Sequence, residues 1–336
     1  MKTFIIAEAG VNHNGSIDLA KELIDVAVIS GVDAVKFQTF KAELIVSKSA
    51  DKAEYQKSTT DINETQYEML KSLELTEQMH ESLVEYCRLR NIEFLSTPFD
   101  FPSIYMLNKL GMTKYKIPSG EITNLPYLRE VASVAKEIIL STGMSSLAEV
   151  KQAFEVLLNA GIERKNITVL HATSEYPCPM HEVNLNAMLT LKNELNVNVG
   201  YSDHTNGIEI PIAAVAMGAT VIEKHFTISR DLPGPDHAAS LEPDELIAMV
   251  KGIRNVESAL GSWEKKATTS ELLNLKVGRK SIVAKNNIKK GDLFTRDNVT
   301  VKRPGYGLNP MEYWDVVIGS YATKDYMAED LIEWEC

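Results

Sequence analysis

One form recurs along this chain: a short apolar, β-prone run that ends in polar residues, followed by an amphipathic helical stretch. The runs lie at 4–8, 34–38, 93–97, 114–117, 138–142, 168–173, 198–203 and 220–225. Helical patterns fall between most of them, as at 17–30, 76–91, 125–135, 146–160 and 208–217. Short buried strands alternating with helices predict parallel βα units. Eight of them predict a (β/α)8 barrel, for which about 250 residues is the usual length. The rival, an open doubly wound sheet, lacks the G-x-G-x-x-G turn expected after its first strand.

The rhythm breaks twice. From 39 to 74 the chain is long and polar, with Lys41, Lys48, Lys52, Lys57 and the run Ser58-Thr59-Thr60-Asp61. Loops of this length in compact domains are often lids, the alternative being a disordered insertion. Apolar anchors at Tyr55, Tyr67, Met69, Leu70 and Leu73 predict a partly helical lid. After a closing helix at 244–260 the texture changes. We read 1–260 as the barrel, 261–275 as a linker, and 276–336 as a small, turn-rich second domain of marginal size.

Of the 336 residues, 46 are acidic and 35 basic, a net charge of -11. That argues against a general nucleic-acid binder. Yet 276–303 holds nine basic and two acidic groups. Such a module is either a solvated basic face or a surface that docks on the acidic body or an anionic ligand held there. Three sparse cysteines, Cys87, Cys178 and Cys336, predict no disulfide framework and a cytoplasmic setting. The apolar stretch at 210–222 is interrupted by Pro211, Gly218 and Thr220 and is too short to span a membrane. The start of the chain is read as a buried strand rather than a signal peptide, because Glu8 ends its short apolar run.

Function in such barrels collects at the C-terminal strand ends. Here every end is polar. Lys36 and Lys116, with hydroxyls at Thr97, Ser119, Ser141 and Ser202, can form a cationic cup for a phosphate or carboxylate. His204 and His225 lie on neighbouring strand ends with carboxylates such as Glu8 near. That combination suits a divalent cation with open positions. No H-E-x-x-H, Walker A or G-x-S-x-G motif is present.

These motifs, in order, resemble the bacterial sialic acid synthases nearly end to end. The resemblance rests on Ala7-Glu8-Ala9-Gly10-Val11-Asn12-His13-Asn14-Gly15, Val35-Lys36-Phe37-Gln38-Thr39, Ser96-Thr97-Pro98-Phe99 and Lys116-Ile117-Pro118-Ser119-Gly120-Glu121. It continues through Ser141-Thr142-Gly143-Met144, Ser202-Asp203-His204-Thr205, Glu223-Lys224-His225-Phe226-Thr227 and Gly234-Pro235-Asp236-His237. The tail, with Val301-Lys302-Arg303-Pro304-Gly305, is similar to their antifreeze-like (SAF) domain.

The resemblance implies a TIM barrel followed by that domain, a domain-swapped homodimer, and Mn²⁺ or Mg²⁺ on His204 and His225. It implies phosphoenolpyruvate contacts from Lys36, Thr97, Lys116, Ser119, Ser141 and Ser202. Gln38, Glu121, Tyr176 and Asp236 would hold the sugar, and Arg303 would reach the partner's active site. Glu8 would be the catalytic carboxylate. Ser174 stands where some members carry Asn or Thr.

The implied enzyme is a phosphoenolpyruvate-dependent, C–C bond-forming transferase. The first expectation for its acceptor is N-acetylmannosamine, giving N-acetylneuraminate. The alternative is 2,4-diacetamido-2,4,6-trideoxymannose, giving diacetyllegionaminate. A sugar-binding barrel that has lost activity is the reading from another class, and the intact Glu8, Lys36, His204 and His225 argue against it.

Overall fold

The computed structural model describes residues 2–334 except 54, 55, 58, 59 and 62. Tyr55, Ser58, Thr59 and Cys336 therefore lie outside the described residues. The chain divides into two compact units, Met1–Gly261 and Ser262–Cys336.

In the first unit eight parallel strands make one sheet. They are β1 (Phe4–Gly10), β2 (Ala34–Thr39), β3 (Glu93–Pro98), β4 (Lys114–Ile117), β5 (Glu137–Ser141), β6 (Ile167–Ala172), β7 (Asn198–Asp203) and β8 (Val221–His225). The ladder runs β3-β2-β1-β8-β7-β6-β5-β4. β3 and β4 then lie side by side without ladder pairing, so the barrel is nearly closed.

Strand side chains alternate between two faces, and both faces here are buried. The outward residues, such as Ile5, Ala7, Val35, Phe37, Tyr115, Ile138, Val169 and Ile222, pack beneath the helices. The inward residues Ile6, Ala34, Leu95, Ile139, Leu170 and Val221 form an apolar plug in the barrel interior. Two residues further along the strands, the same inward positions carry Glu8, Lys36, Thr97, Ser141 and Glu223, all buried. The barrel thus has an apolar floor and a polar upper layer.

Local signals set the helix limits. Ser16 caps the helix Ile17–Ser30 through Leu19 N–H, and Gly31 ends it in the left-handed region. Ser146 and Glu149 form a capping box on Leu147–Asn159. The long 39–74 connection contains the short helices Ala42–Ile45 and Gln66–Ser72. Its anchors Met69 and Leu73 pack with Val11 and Phe40. The closing helix is Pro243–Leu260.

The second unit has its own core of Ile282, Ile288, Phe294, Val299, Val317, Tyr326 and Ile332. An antiparallel pair, β9 (Ser281–Ala284) and β10 (Val299–Lys302), lies within it. The segment read as linker is partly helical, Thr269–Gly278. Thr268 and Glu271 form the capping box that starts it, a signal that the polar composition of the segment concealed.

Candidate active site

The polar upper layer is a buried lattice of four charges. Lys36 Nζ lies 2.5 Å from Glu8 Oε2 and 3.5 Å from Glu223 Oε2, and Lys116 Nζ lies 3.2 Å from Glu223 Oε1. Lys36 also donates to Thr97 Oγ1 at 3.0 Å, and Ser202 Oγ donates to Glu223 Oε1 at 2.9 Å. Five of the predicted residues are therefore brought together. The cationic cup expected from the sequence is instead charge-balanced, because Glu8 and Glu223 face the two lysines. Isolated ammonium groups at this depth would lose their protons.

Burial alone favours the neutral form of each group, and the neighbours decide the outcome. Burial pushes the Glu8 carboxyl up to about 7, Lys36 opposing and Glu223 adding to the rise. Burial also works against ionised Glu223, but Lys116 and Lys36 outweigh it and hold that carboxyl well below its ordinary range. Lys116 is lowered chiefly by burial, with Glu223 opposing. For Lys36 the carboxylates outweigh burial, and its pKa is raised.

Ser119 Oγ accepts from Gly143 N–H at 2.9 Å. A Cβ at Gly143 would stand 2.2 Å from Ser174 Oγ and 2.9 Å from Ser119 Oγ. Glycine is what lets these hydroxyls close on the backbone after β5. Ser141 Oγ is buried there and finds no hydrogen-bond partner among the described residues.

Above the lattice the rings of His204 and His225 lie 5.9 Å apart, and the Tyr176 ring lies against His204 at 4.1 Å between centroids, tilted by 33°. His204 Nδ1 donates to the Thr173 carbonyl at 2.6 Å. A carbonyl only accepts, so Nδ1 carries the proton and neutral His204 keeps a lone pair on Nε2. Burial lowers the pKa of both imidazoles, and for His225 the neighbouring His204 adds to it. His225 Nδ1 is buried and finds no hydrogen-bond partner among the described residues, 3.8 Å from Asp236 Oδ2.

Among the described residues no group of three or more His, Cys, Asp and Glu side chains is arranged to hold a metal ion. Two neutral imidazoles with an orphaned nitrogen still fit a first-row divalent cation that takes its remaining ligands from water or substrate. Glu8, the carboxylate expected to assist, is engaged by Lys36. The carboxylate beside His225 Nδ1 is Asp236.

Gln38, Tyr176, His225 and Asp236 line one cavity of about 210 Å³. Gly10, at φ +53°, makes room for it, since a Cβ there would press on His225 and Gln38 at 3.3 and 3.4 Å. Burial raises the Asp236 carboxyl to about 6. Glu121 stands apart. It sits on the turn after β4, its carboxylate accepts from Asn124 Nδ2 at 2.6 Å, and among the described residues no hydrogen bond or ion pair joins it to the lattice. Arg303 belongs to the second unit, where its Nε donates to the Gly278 carbonyl at 3.0 Å.

Glu223 is the residue that sequence reasoning missed. Its signal was strand alternation: if His225 points inward, so does Glu223, while Lys224 points out.

Residues 23–265 match the NeuB family. The chain belongs to the NeuB family. Its residues 279–336 match the SAF domain, so the expected architecture of a (β/α)8 barrel followed by a SAF domain stands. This NeuB-family chain is 53% identical to the N,N'-diacetyllegionaminic acid synthase of Campylobacter jejuni, over 98% of its own length and 99% of the relative's. It is 48% identical to the enzyme of that name from Legionella pneumophila, over 100% and 94% of the two chains. Among solved structures it is similar to the N-acetylneuraminic acid synthetase of Leptospira borgpetersenii, with a TM-score of 0.72 and 34% identity over 82% of this chain and 90% of that one.

Proposed function

We propose that the protein condenses phosphoenolpyruvate with 2,4-diacetamido-2,4,6-trideoxymannose, releasing phosphate and forming diacetyllegionaminate. The observation that carries this reading is the order of identities. Two diacetyllegionaminic acid synthases stand at 53% and 48%, against 34% for the N-acetylneuraminic acid synthetase. It replaces N-acetylmannosamine, the acceptor first expected from the motifs, with the alternative.

The buried lattice supports the phosphoenolpyruvate half. Lys36 and Lys116, each paired with a carboxylate of the lattice, offer amine donors in the polar layer, and Thr97, Ser119, Ser141 and Ser202 add hydroxyls for phosphate and carboxylate oxygens. The cavity lined by Gln38, Tyr176 and Asp236 offers the acceptor a carboxylate and an amide for its hydroxyl and acetamido groups. His204 and His225 would hold Mn²⁺ or Mg²⁺. Bound there, the cation supplies Lewis acidity toward the acceptor's carbonyl oxygen.

The chemistry closes as follows. C3 of the enol phosphate forms a bond to the aldehyde carbon C1, and the aldehyde oxygen takes up a proton. Positive charge develops at C2, where water adds and loses a proton. The C2–O bond to phosphate then breaks as the C2 hydroxyl gives its proton to the departing phosphate, leaving a ketone and inorganic phosphate. Glu8, with its carboxyl near 7, can orient that water and receive its proton, or stabilise the charge at C2. Lys36, at 2.5 Å, keeps the carboxylate in place.

The test is phosphate release with each acceptor. The diacetamido sugar should exceed N-acetylmannosamine in kcat/KM by about tenfold or more, a difference of about 1.4 kcal/mol at the transition state. A tenfold preference the other way would return the assignment to N-acetylneuraminate.

A further inference from the structure

The motif Asn12-His13-Asn14 follows β1, and among the described residues no side-chain hydrogen bond or ion pair joins it to the charge lattice. Its two amides are instead hydrogen-bonded into the loop that follows β8 and carries Asp236. The neck of that loop is closed by a bridge between Phe226 and Leu241, and Phe226 N–H donates to the Glu8 carbonyl at 3.0 Å. Asn12 Nδ2 donates to the Phe226 carbonyl at 2.8 Å and to Ser240 Oγ at 2.9 Å. Ser240 Oγ in turn donates to the Asp236 carbonyl at 2.6 Å.

Asn14 holds the other side of the loop. Its Nδ2 donates to the Pro233 carbonyl at 2.8 Å, which fixes the amide's orientation and leaves Oδ1 as an acceptor. His237 Nε2, 3.2 Å from that oxygen, must then be the donor, and its Nδ1 accepts from Thr227 Oγ1 at 2.6 Å. The relay runs from the backbone of the loop through Asn14 and His237 to Thr227 at the neck. Packing is correspondingly close. A Cβ at Gly234 would stand 2.8 Å from Asn14 Oδ1 and 2.8 Å from His237 Cδ2.

Asp236 is thus held through its own carbonyl from one side and by its neighbour His237 from the other. Its carboxylate faces the cavity shared with Gln38, Tyr176 and His225. We propose that Asn12 and Asn14 are positioning residues that set the Asp236 carboxylate for the acceptor sugar and not for phosphoenolpyruvate, an inference that rests on the acceptor cavity assigned above.

The test uses Asn14→Gly. Asn14 has φ +49°, and glycine keeps that left-handed backbone while removing both side-chain bonds. In the full-length protein without substrate, amide hydrogen exchange across 231–240 should accelerate by about tenfold or more, with the strands unchanged. With substrates, the acceptor KM should rise by about fivefold or more while the phosphoenolpyruvate KM stays within about twofold. Thr227→Val should repeat the effect more weakly, and Thr227→Ser, which keeps the hydroxyl, should not. Unchanged exchange across 231–240 would overturn the proposal. So would faster exchange with an unchanged acceptor KM, or a parallel rise in both KM values. If the wild type turns over neither sugar, the functional reading falls, and the positioning claim is decided by exchange alone.

Discussion

The carboxylate of Glu223 lies 3.2 Å from the ammonium of Lys116 with both side chains only 6% exposed. Lys36 flanks the same carboxylate at 3.5 Å and Glu8 completes the set. Such an ion lattice is held together by its balance. Removing one member of a buried pair is far more damaging than replacing the pair, because an uncompensated charge is left behind.

Glu223→Gln keeps the shape and removes the charge. It should destabilise the barrel by about 3–5 kcal/mol in a denaturant titration. The two lysines then face only Glu8. Phosphoenolpyruvate, an anion, should raise the Tm of this variant more than that of the wild type. Wild-type stability without ligand, or an equal ligand-induced shift, would show that Glu223 does not balance the lysines.

The imidazole pair gives a second prediction. Mn²⁺ titrated calorimetrically into the substrate-free protein should bind one ion per chain. His204→Ala and His225→Ala should each weaken binding by about tenfold or more, or about 1.4 kcal/mol. Thr173 fixes the tautomer of His204 through a backbone carbonyl, so substituting its side chain should leave the affinity unchanged. Equal affinity in all variants would remove the metal from these residues.

The barrel was legible because its strands are buried on both faces and its helices are amphipathic. The same double burial hid part of the site. Strands β7 and β8 each end in a mixed polar run, Ser202-Asp203-His204 and Glu223-Lys224-His225. Only alternation separates the inward residues from the outward pair, Asp203 and Lys224, which are ion-paired at 2.5 Å on the opposite face. Polarity alone does not distinguish them. The carbonyls of Thr173, Phe226 and Pro233, which fix His204, Asn12 and Asn14, carry no sequence signal at all, since every residue has one. Glu121 shows the converse: a carboxylate in a matching motif that lies outside the lattice.

The opposite end of the barrel yields the last prediction. Asp33, just before β2, accepts from Ile5 N–H at 2.9 Å and from Lys2 at 2.5 Å, and pairs with Arg254 of the closing helix at 2.6 Å. Arg254 also donates to the Thr3 carbonyl at 2.8 Å. One carboxylate therefore ties β1, the start of β2 and the closing helix together. Burial opposes its ionisation, but the hydrogen bonds from Lys2, Ile5 and Arg254 outweigh burial and hold its pKa below the ordinary value of 3.8. A depressed folded-state pKa means that the stabilisation is present above the unfolded value and is lost as pH falls through the folded one. Lys2 is exposed and contributes little, so the effect rests on Ile5 and Arg254. Asp33→Asn should cost about 1–3 kcal/mol at pH 7. The gap between the urea midpoints of wild type and variant should hold down to about pH 5 and shrink below about pH 4. A gap that persists undiminished at the lowest pH at which both still fold would mean that the charge of Asp33 is not what ties the three elements.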